Sequence, residues 1–164
     1  MGADIHSRVE IKWDTDSDWM LVTEALWPNH YFIRSRPVDY WNTPYVAEPF
    51  HDRNYPLFAL LAGVRNYWDI EPIESPRGMP DDASDSWKAY VDKWNGDLHS
   101  HSWFTYDELK HVLQNLDGRI QFENGSIQSH VELFDTSLID ALAPLTSAAD
   151  PGGAQIRFVF AFDN

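Results

Sequence analysis

Ala3-Asp4-Ile5-His6-Ser7-Arg8-Val9-Glu10-Ile11-Lys12-Trp13 is the stretch whose reading decides the fold. Ala3, Ile5, Val9, Ile11 and Trp13 fall on one face of an extended chain, and Asp4, His6, Arg8, Glu10 and Lys12 on the other. That two-residue alternation belongs to a strand with one face on a core. Asp14-Thr15-Asp16-Ser17-Asp18 has turn composition, so Trp19-Met20-Leu21-Val22-Thr23 reads as the returning strand of a hairpin. At the other terminus, Ile156-Arg157-Phe158-Val159-Phe160-Ala161-Phe162 is a second strong strand, rich enough in Phe to lie centrally in the sheet.

Helical signals fill part of the interval. Asn54 is placed to cap a helix over residues 55–62, with Pro56 in its first turn and Gly63 at its end. Trp87, Tyr90, Val91 and Trp94 recur at helical spacing within 84–94, and Thr105 with Glu108 forms a capping box that opens a third helix to about Gln114. Residues 136–143 suit a fourth. Residues 24–53 and 66–83 are rich in Pro and aromatics without periodicity, as binding loops often are, and 150–153 is a further loop. The expected architecture is α+β, in a single globular domain over 1–164: a mainly antiparallel sheet, made of the N-terminal hairpin and the C-terminal strand. It carries three or four helices on one side and long aromatic-rich loops at an edge.

Composition narrows the function. Hydrophobic residues are 43% of the 164, and aromatics 15%, enough for a core without a metal or disulfide staple. The absence of Cys excludes thiolate metal sites and cysteine nucleophiles and fits a reducing compartment. No run approaches the about 18 apolar residues of a membrane span, and the first residues do not read as a signal peptide, so a cytoplasmic protein with no membrane partner is expected. The net charge of −14 repels nucleic-acid backbones, which argues against generic nucleic-acid binding. Dispersed acids of this kind usually serve solubility; the other reading is an acidic inhibitor that occupies a host protein.

Two constellations carry possible chemistry. The first joins Asp4 and His6 to Asp97, His99 and His101, with Glu10 nearby in sequence. His-x-His and Asp-x-His put polar side chains on one face of a strand, and mixed imidazole and carboxylate ligands suit Zn, Mn, Fe or Ni. Asp4, His6, His99 and His101 are the expected metal ligands, and Asp97 and Glu10 the expected base or supporting carboxylates. The plain alternative is a set of mutually hydrogen-bonded residues at a sheet edge, or a metal-free acid–base site. His30, His51, His111 and His130 share no such spacing and read as structural or surface residues. The second constellation is Arg53-Asn54, Arg65 and Arg77, the last in Pro76-Arg77-Gly78-Met79-Pro80-Asp81-Asp82. Guanidinium groups beside helix ends and rigid turns suit phosphate or carboxylate, unless each simply pairs with a nearby acid such as Asp52, Asp81 or Asp82. Ser102 and Trp103 border the His pair, and aromatics including Tyr67 and Trp68 stand ready to stack on a base or to fill the core. No Walker loop, dinucleotide-binding glycine pattern or His-Glu-x-x-His is present.

Met1-Gly2-Ala3-Asp4-Ile5-His6, residues 53–66, Pro76 to Asp82 and His99-Ser100-His101-Ser102-Trp103 resemble blocks of a functionally uncharacterised family of small bacteriophage and bacterial proteins. Its members often open Met-Gly-Cys-Asp-Ile-His. Ala3 stands here where many of them have Cys, so no role for that thiol carries over. The resemblance implies a bacterial or phage cytoplasmic setting and assigns no reaction.

The expectation is therefore a small-molecule site of Asp4, His6, His99 and His101. Arg53, Asn54, Arg65, Arg77, Asp81, Asp82, Ser102 and Trp103 would contact a small anionic or nucleotide-like ligand. As an enzyme it would be a divalent-metal-dependent hydrolase of a phosphoester or nucleotide. The alternatives are a protein that sequesters such a ligand without turnover and the acidic inhibitor.

Overall fold

The computed structural model describes residues 2–13, 18–23, 33–35, 46–146 and 152–164. Most of the expected turn at 14–18, most of the irregular segment at 24–53, with Trp27, His30 and Tyr31 in it, and residues 147–151 lie outside the described residues. Four strands form the main sheet: β1 (Ile5–Lys12), β2 (Met20–Leu21), β5 (His99–Thr105) and β8 (Gln155–Phe162), in the order β2-β1-β8-β5 and all antiparallel. The C-terminal strand is central, as its Phe content predicts. It pairs with β1 along its whole length, from Ile5 opposite Phe162 to Lys12 opposite Gln155. Two further pairs, β3 (Ile33–Ser35) with β4 (Val46–Ala47) and β6 (Arg119–Gln121) with β7 (Ile127–Ser129), make small separate sheets.

The register sorts the side chains into two layers. Ile5, Ser7, Val9 and Ile11 of β1 stand beside Phe162, Phe160, Phe158 and Ile156 of β8. That face packs on α1 (Tyr55–Ala62), α3 (Tyr106–Asn115) and α4 (Thr136–Leu142) through Phe58, Leu61, Leu109 and Leu142, all essentially sealed from solvent. Each such side chain contributes about 1.5–3 kcal/mol. The opposite face carries His6, Arg8 and Glu10 of β1 beside Ala161, Val159 and Arg157 of β8. It is covered by α2 (Asp85–Lys93), whose Trp87 packs on Val159 and Ala161. Helices thus lie on both sides of the sheet, where the sequence reading put them on one. The amphipathic stripe of α2 is satisfied by the small apolar surface between the polar rows.

Local chemistry fixes the helix ends. The Asn54 side chain accepts a bond from Leu57 N at 3.2 Å, and Gly63 ends α1 in the left-handed region at φ 71°. Ser84 caps α2 by accepting from Trp87 N. Thr105 and Glu108 complete the reciprocal capping box of α3. Among the described residues no helix is long and apolar enough to cross a membrane.

Candidate functional site

One end of the main sheet gathers the start of β1, the end of β8 and the start of β5, because β8 is antiparallel to both neighbours. Asp4, His6, Asp163, His99 and His101 therefore meet at the same end of the fold. They do not merge into one ligand cluster. β8 lies between β1 and β5, so the two His-bearing strands run about 10 Å apart, far beyond the span of one metal with bonds of about 2 Å. Among the described residues no three His, Asp or Glu side chains come together as a metal-ligand group.

His6 has both ring nitrogens engaged. Nδ1 lies 2.7 Å from Tyr90 Oη of α2, and Nε2 lies 3.2 Å from Asp163 Oδ2. Asp163 in turn accepts from Asp4 N through Oδ1 at 2.7 Å and donates its own N–H to Asp4 O at 3.1 Å. The edge of the His6 ring meets Trp94 at 4.3 Å between centroids, and Tyr90 stacks on Trp87. The Arg8 guanidinium covers the Tyr90 ring at 4.4 Å while donating to Glu48 Oε1 at 2.7 Å. This is a carboxylate–imidazole–phenol chain with a fixed geometry, largely withdrawn from water. Asp163 and Tyr90 escape a motif reading of the sequence. The signal that finds Asp163 is the pairing of the two strong strands end to end, which sets the residue after Phe162 beside Asp4.

Outside that chain, Asp4 binds Arg53 bidentately, Nε to Oδ1 at 2.6 Å and Nη2 to Oδ2 at 3.0 Å. Arg53 holds the Asp4 carboxyl below the usual carboxylate range through these hydrogen bonds. The pair is exposed, 45% for Asp4 and 59% for Arg53. Beside it an open depression of about 480 Å³ is lined by Asp4, Ile5, Glu48, His51 and Asp52. His51 contacts Asp52 there, Nδ1 to Oδ2 at 2.7 Å.

His99 and His101 sit at a bulge in β5. His99 faces Phe162 and Ser102 faces Phe160, so three steps on β5 match two on β8, and Ser100 takes up the difference at φ 51°. The extra residue breaks the alternation on which a shared face for the two rings depends. His99 Nδ1 is 2.9 Å from Ser100 Oγ, but His99 Nε2 and His101 Nδ1 are buried without a hydrogen-bond partner among the described residues. Burial pushes the His101 imidazole below the usual histidine range, which favours the neutral ring. Asp97 lies on the exposed turn just before β5.

The remaining candidates are placed elsewhere. Glu10 is fully buried, and Arg157 Nε donates to its Oε2 at 2.6 Å. Asp82 accepts from Arg157 Nη1 at 2.7 Å and from Trp19 Nε1 at 3.0 Å, so these two acids fasten α2 to the sheet. Asn54 caps α1 and donates to Leu133 O. Arg65 lies past the opposite end of α1 from Arg53, in the left-handed region at φ 51°. Arg77 grips Glu74 and Glu108, covers Trp103 at 4.9 Å, and sends its backbone N–H to Ser102 Oγ at 3.1 Å. Asp81 is exposed beside Asp82. Of the three arginines singled out in the sequence, only Arg53 lies against the Asp4–His6 end. Arg53 and Arg77 do pair with acids, but with Asp4 and with Glu74 and Glu108, not with the Asp52, Asp81 or Asp82 that the charge-pairing reading named.

No family model, curated protein or solved structure matches this chain.

Proposed function

We propose that this protein binds a small polar molecule at the Asp4–His6 end of the sheet and acts on it by acid–base chemistry. The observation that carries this reading is the chain from Asp163 through His6 to Tyr90. A carboxylate that orients an imidazole, with a hydroxyl on its other nitrogen, is an arrangement that can move a proton between fixed atoms. Asp163 Oδ2 can only accept while ionised, so Nε2 carries the ring proton in the neutral ring and Nδ1 accepts from the Tyr90 hydroxyl. A proton withdrawn from Tyr90, or from a ligand hydroxyl in its place, passes to Nδ1, and Asp163 stabilises the imidazolium that results.

A phosphoester or nucleotide-like ligand fits if its phosphate displaces Asp4 from Arg53, an exchange that the exposure of both side chains leaves sterically open. Glu48 and Asp52 at the neighbouring depression would oppose a second anionic group. Ligand capture without turnover uses the same contacts. The test is to incubate the protein with a nucleotide mixture and with bis(p-nitrophenyl) phosphate, following both binding and product. Turnover that falls by about 10²–10⁴-fold in His6→Ala supports acid–base catalysis. Saturable binding with the nucleotide recovered intact supports capture. Equal behaviour of the wild type, His6→Ala and Asp163→Asn overturns the site.

A metal is the second reading, and the unpartnered His99 Nε2 and His101 Nδ1 favour it, since a buried imidazole nitrogen with no bond is an available ligand. A divalent ion of the Zn, Mn, Fe or Ni type would be held by one or other of these atoms, since the bulge denies the two rings a shared face, and would supply Lewis acidity toward a phosphoryl oxygen. Elemental analysis separates the cases. Metal lost in His99→Ala/His101→Ala and kept in His6→Ala supports a centre at the bulge, and no metal after incubation with these ions removes it. The resemblance noted above makes a bacterial or phage cytoplasmic setting part of this reading, and a host protein remains the partner in the acidic-inhibitor alternative.

A further inference from the structure

Tyr67 is 65% exposed, yet it is not loosely held. It lies on the segment that follows α1, where two non-glycine residues, Arg65 at φ 51° and Asp69 at φ 54°, take the left-handed backbone on either side of Tyr67-Trp68. Such conformations are unfavourable for residues with a Cβ and persist only where the surroundings impose them. The imposing contacts are visible: Asn66 accepts from Ile70 N at 2.9 Å and donates to Ile70 O at 2.7 Å, which clamps the two ends of the loop together. The Tyr67 ring meets Tyr55 edge-on at 6.2 Å and Trp68 at 5.8 Å, and Trp68 meets Phe122 at 6.1 Å. A rigid aromatic wall is thus presented to solvent.

The wall faces the tip of the β6–β7 hairpin across an open cleft of about 710 Å³, lined by Tyr67, Trp68, Gln121, Phe122, Glu123 and Asn124. The hairpin tip is itself tight, with Phe122 N bonded to Ser126 O, Gly125 N bonded to Phe122 O, and Gly125 at φ 83°. Asn124 Oδ1 is taken up by Ser126 N and Oγ, which leaves its amide NH₂ for a ligand, while Gln121 and Glu123 are exposed side chains. Among the described residues the lining contains no cation and one carboxylate, in a chain of net charge −14, so an anionic ligand is disfavoured here. Two amides and a carboxylate are donors and acceptors for hydroxyl groups, and flat aromatic faces suit the C–H face of a ring.

We infer that this cleft is a binding site for a neutral saccharide, with a pyranose ring stacked on Tyr67 and its hydroxyls bonded to Gln121, Glu123 and the Asn124 amide. The site is separate from the His6 chain and stands or falls without it. The test is titration of the intact protein with cellotriose, maltotriose and chitotriose, followed by tryptophan fluorescence and by calorimetry, with adenosine as the competing aromatic probe. Saturable binding of one of the three sugars is expected, weakened at least about fivefold by Tyr67→Ala and by Gln121→Ala, and unchanged by His6→Ala. Tyr67 is exposed, so Tyr67→Ala should keep the wild-type near-UV circular dichroism apart from the lost ring. Gln121→Ala, on an exposed strand position, supplies a second variant should Tyr67→Ala fail to fold. Three outcomes overturn the inference: no saturation by any sugar, sugar binding indifferent to both substitutions, or binding of adenosine alone.

Discussion

Arg157 and Glu10 stand 147 positions apart in the chain and meet at 2.6 Å, Nε to Oε2, with almost no solvent on either side chain. Glu10 Oε1 accepts from Ser84 N at 2.7 Å, while the other end of the guanidinium holds the Asp82 side chain and carbonyl and lies 3.9 Å above Trp19. The pair therefore ties both ends of the chain to the first turn of α2. Removing Arg157 leaves the buried Glu10 charge without that counterpart, and removing Glu10 leaves the buried Arg157 charge with the exposed Asp82 carboxylate in place of a buried partner. Arg157→Met or Glu10→Leu alone should each cost about 3–5 kcal/mol in urea unfolding, and the double variant should cost clearly less than the sum. Additive losses would mean that the two charges do not act as a pair.

Asp82 gives the same network a pH signature. Its carboxyl is held below the usual 3.8 by the hydrogen bond from Arg157. A carboxyl with a depressed folded pKa binds its proton more weakly than in the unfolded chain. The stability it confers is present above about 3.8 and drains away as pH falls through its folded value. Acid unfolding of Asp82→Asn should accordingly be shallower below pH 3.8 than that of the wild type, with little difference near neutrality in the slope of stability against pH. Guanidinium unfolding from pH 2 to 7 reads this directly.

The Asp163–His6–Tyr90 chain predicts a tautomer. Nitrogen chemical shifts of neutral His6 should report a proton on Nε2 and a lone pair on Nδ1. Tyr90→Phe should leave that proton where it is, and Asp163→Asn should allow it to move. A proton on Nδ1 in the wild type would reverse the direction of proton movement argued above.

The helix opening at Thr105 is worth a local test because it also seats Arg77. Glu108 accepts from Thr105 N at 2.8 Å with the same carboxylate that binds Arg77. Burial raises the Glu108 carboxyl, but the hydrogen bonds from Arg77 and Thr105 outweigh it and leave the group below its ordinary range. Thr105→Ala should cost about 1 kcal/mol by thermal unfolding, and Arg77→Ala should add a loss of packing against Trp103.

Local pattern alone determined a good deal of this protein. The alternation of β1, the Phe-rich β8, the caps Asn54 and Thr105, and the C-terminal Gly63 all follow from interactions within about four residues, and all appear where those interactions put them. The β6–β7 hairpin is less legible, because three-residue strands show little alternation and only the Asn124-Gly125 pair marks the turn.

The candidate site divides along the same line. The sequence picks out Asp4, His6, His99 and His101 by their spacing, and the fold does bring them to one end of the sheet. Which of them can share a ligand depends on strand order and register, which local spacing does not encode. Inserting β8 between β1 and β5 separates His6 from the His pair. One extra residue at Ser100 then breaks the face that His99 and His101 would have shared. The partners that define each group, Asp163 and Tyr90 for His6, Arg157 for Glu10, Glu74 and Glu108 for Arg77, lie up to 157 positions away. Spacing fixes which way a side chain points from its own strand or helix, whereas only the packed tertiary structure fixes what it meets there, because that depends on contacts between segments distant in the chain.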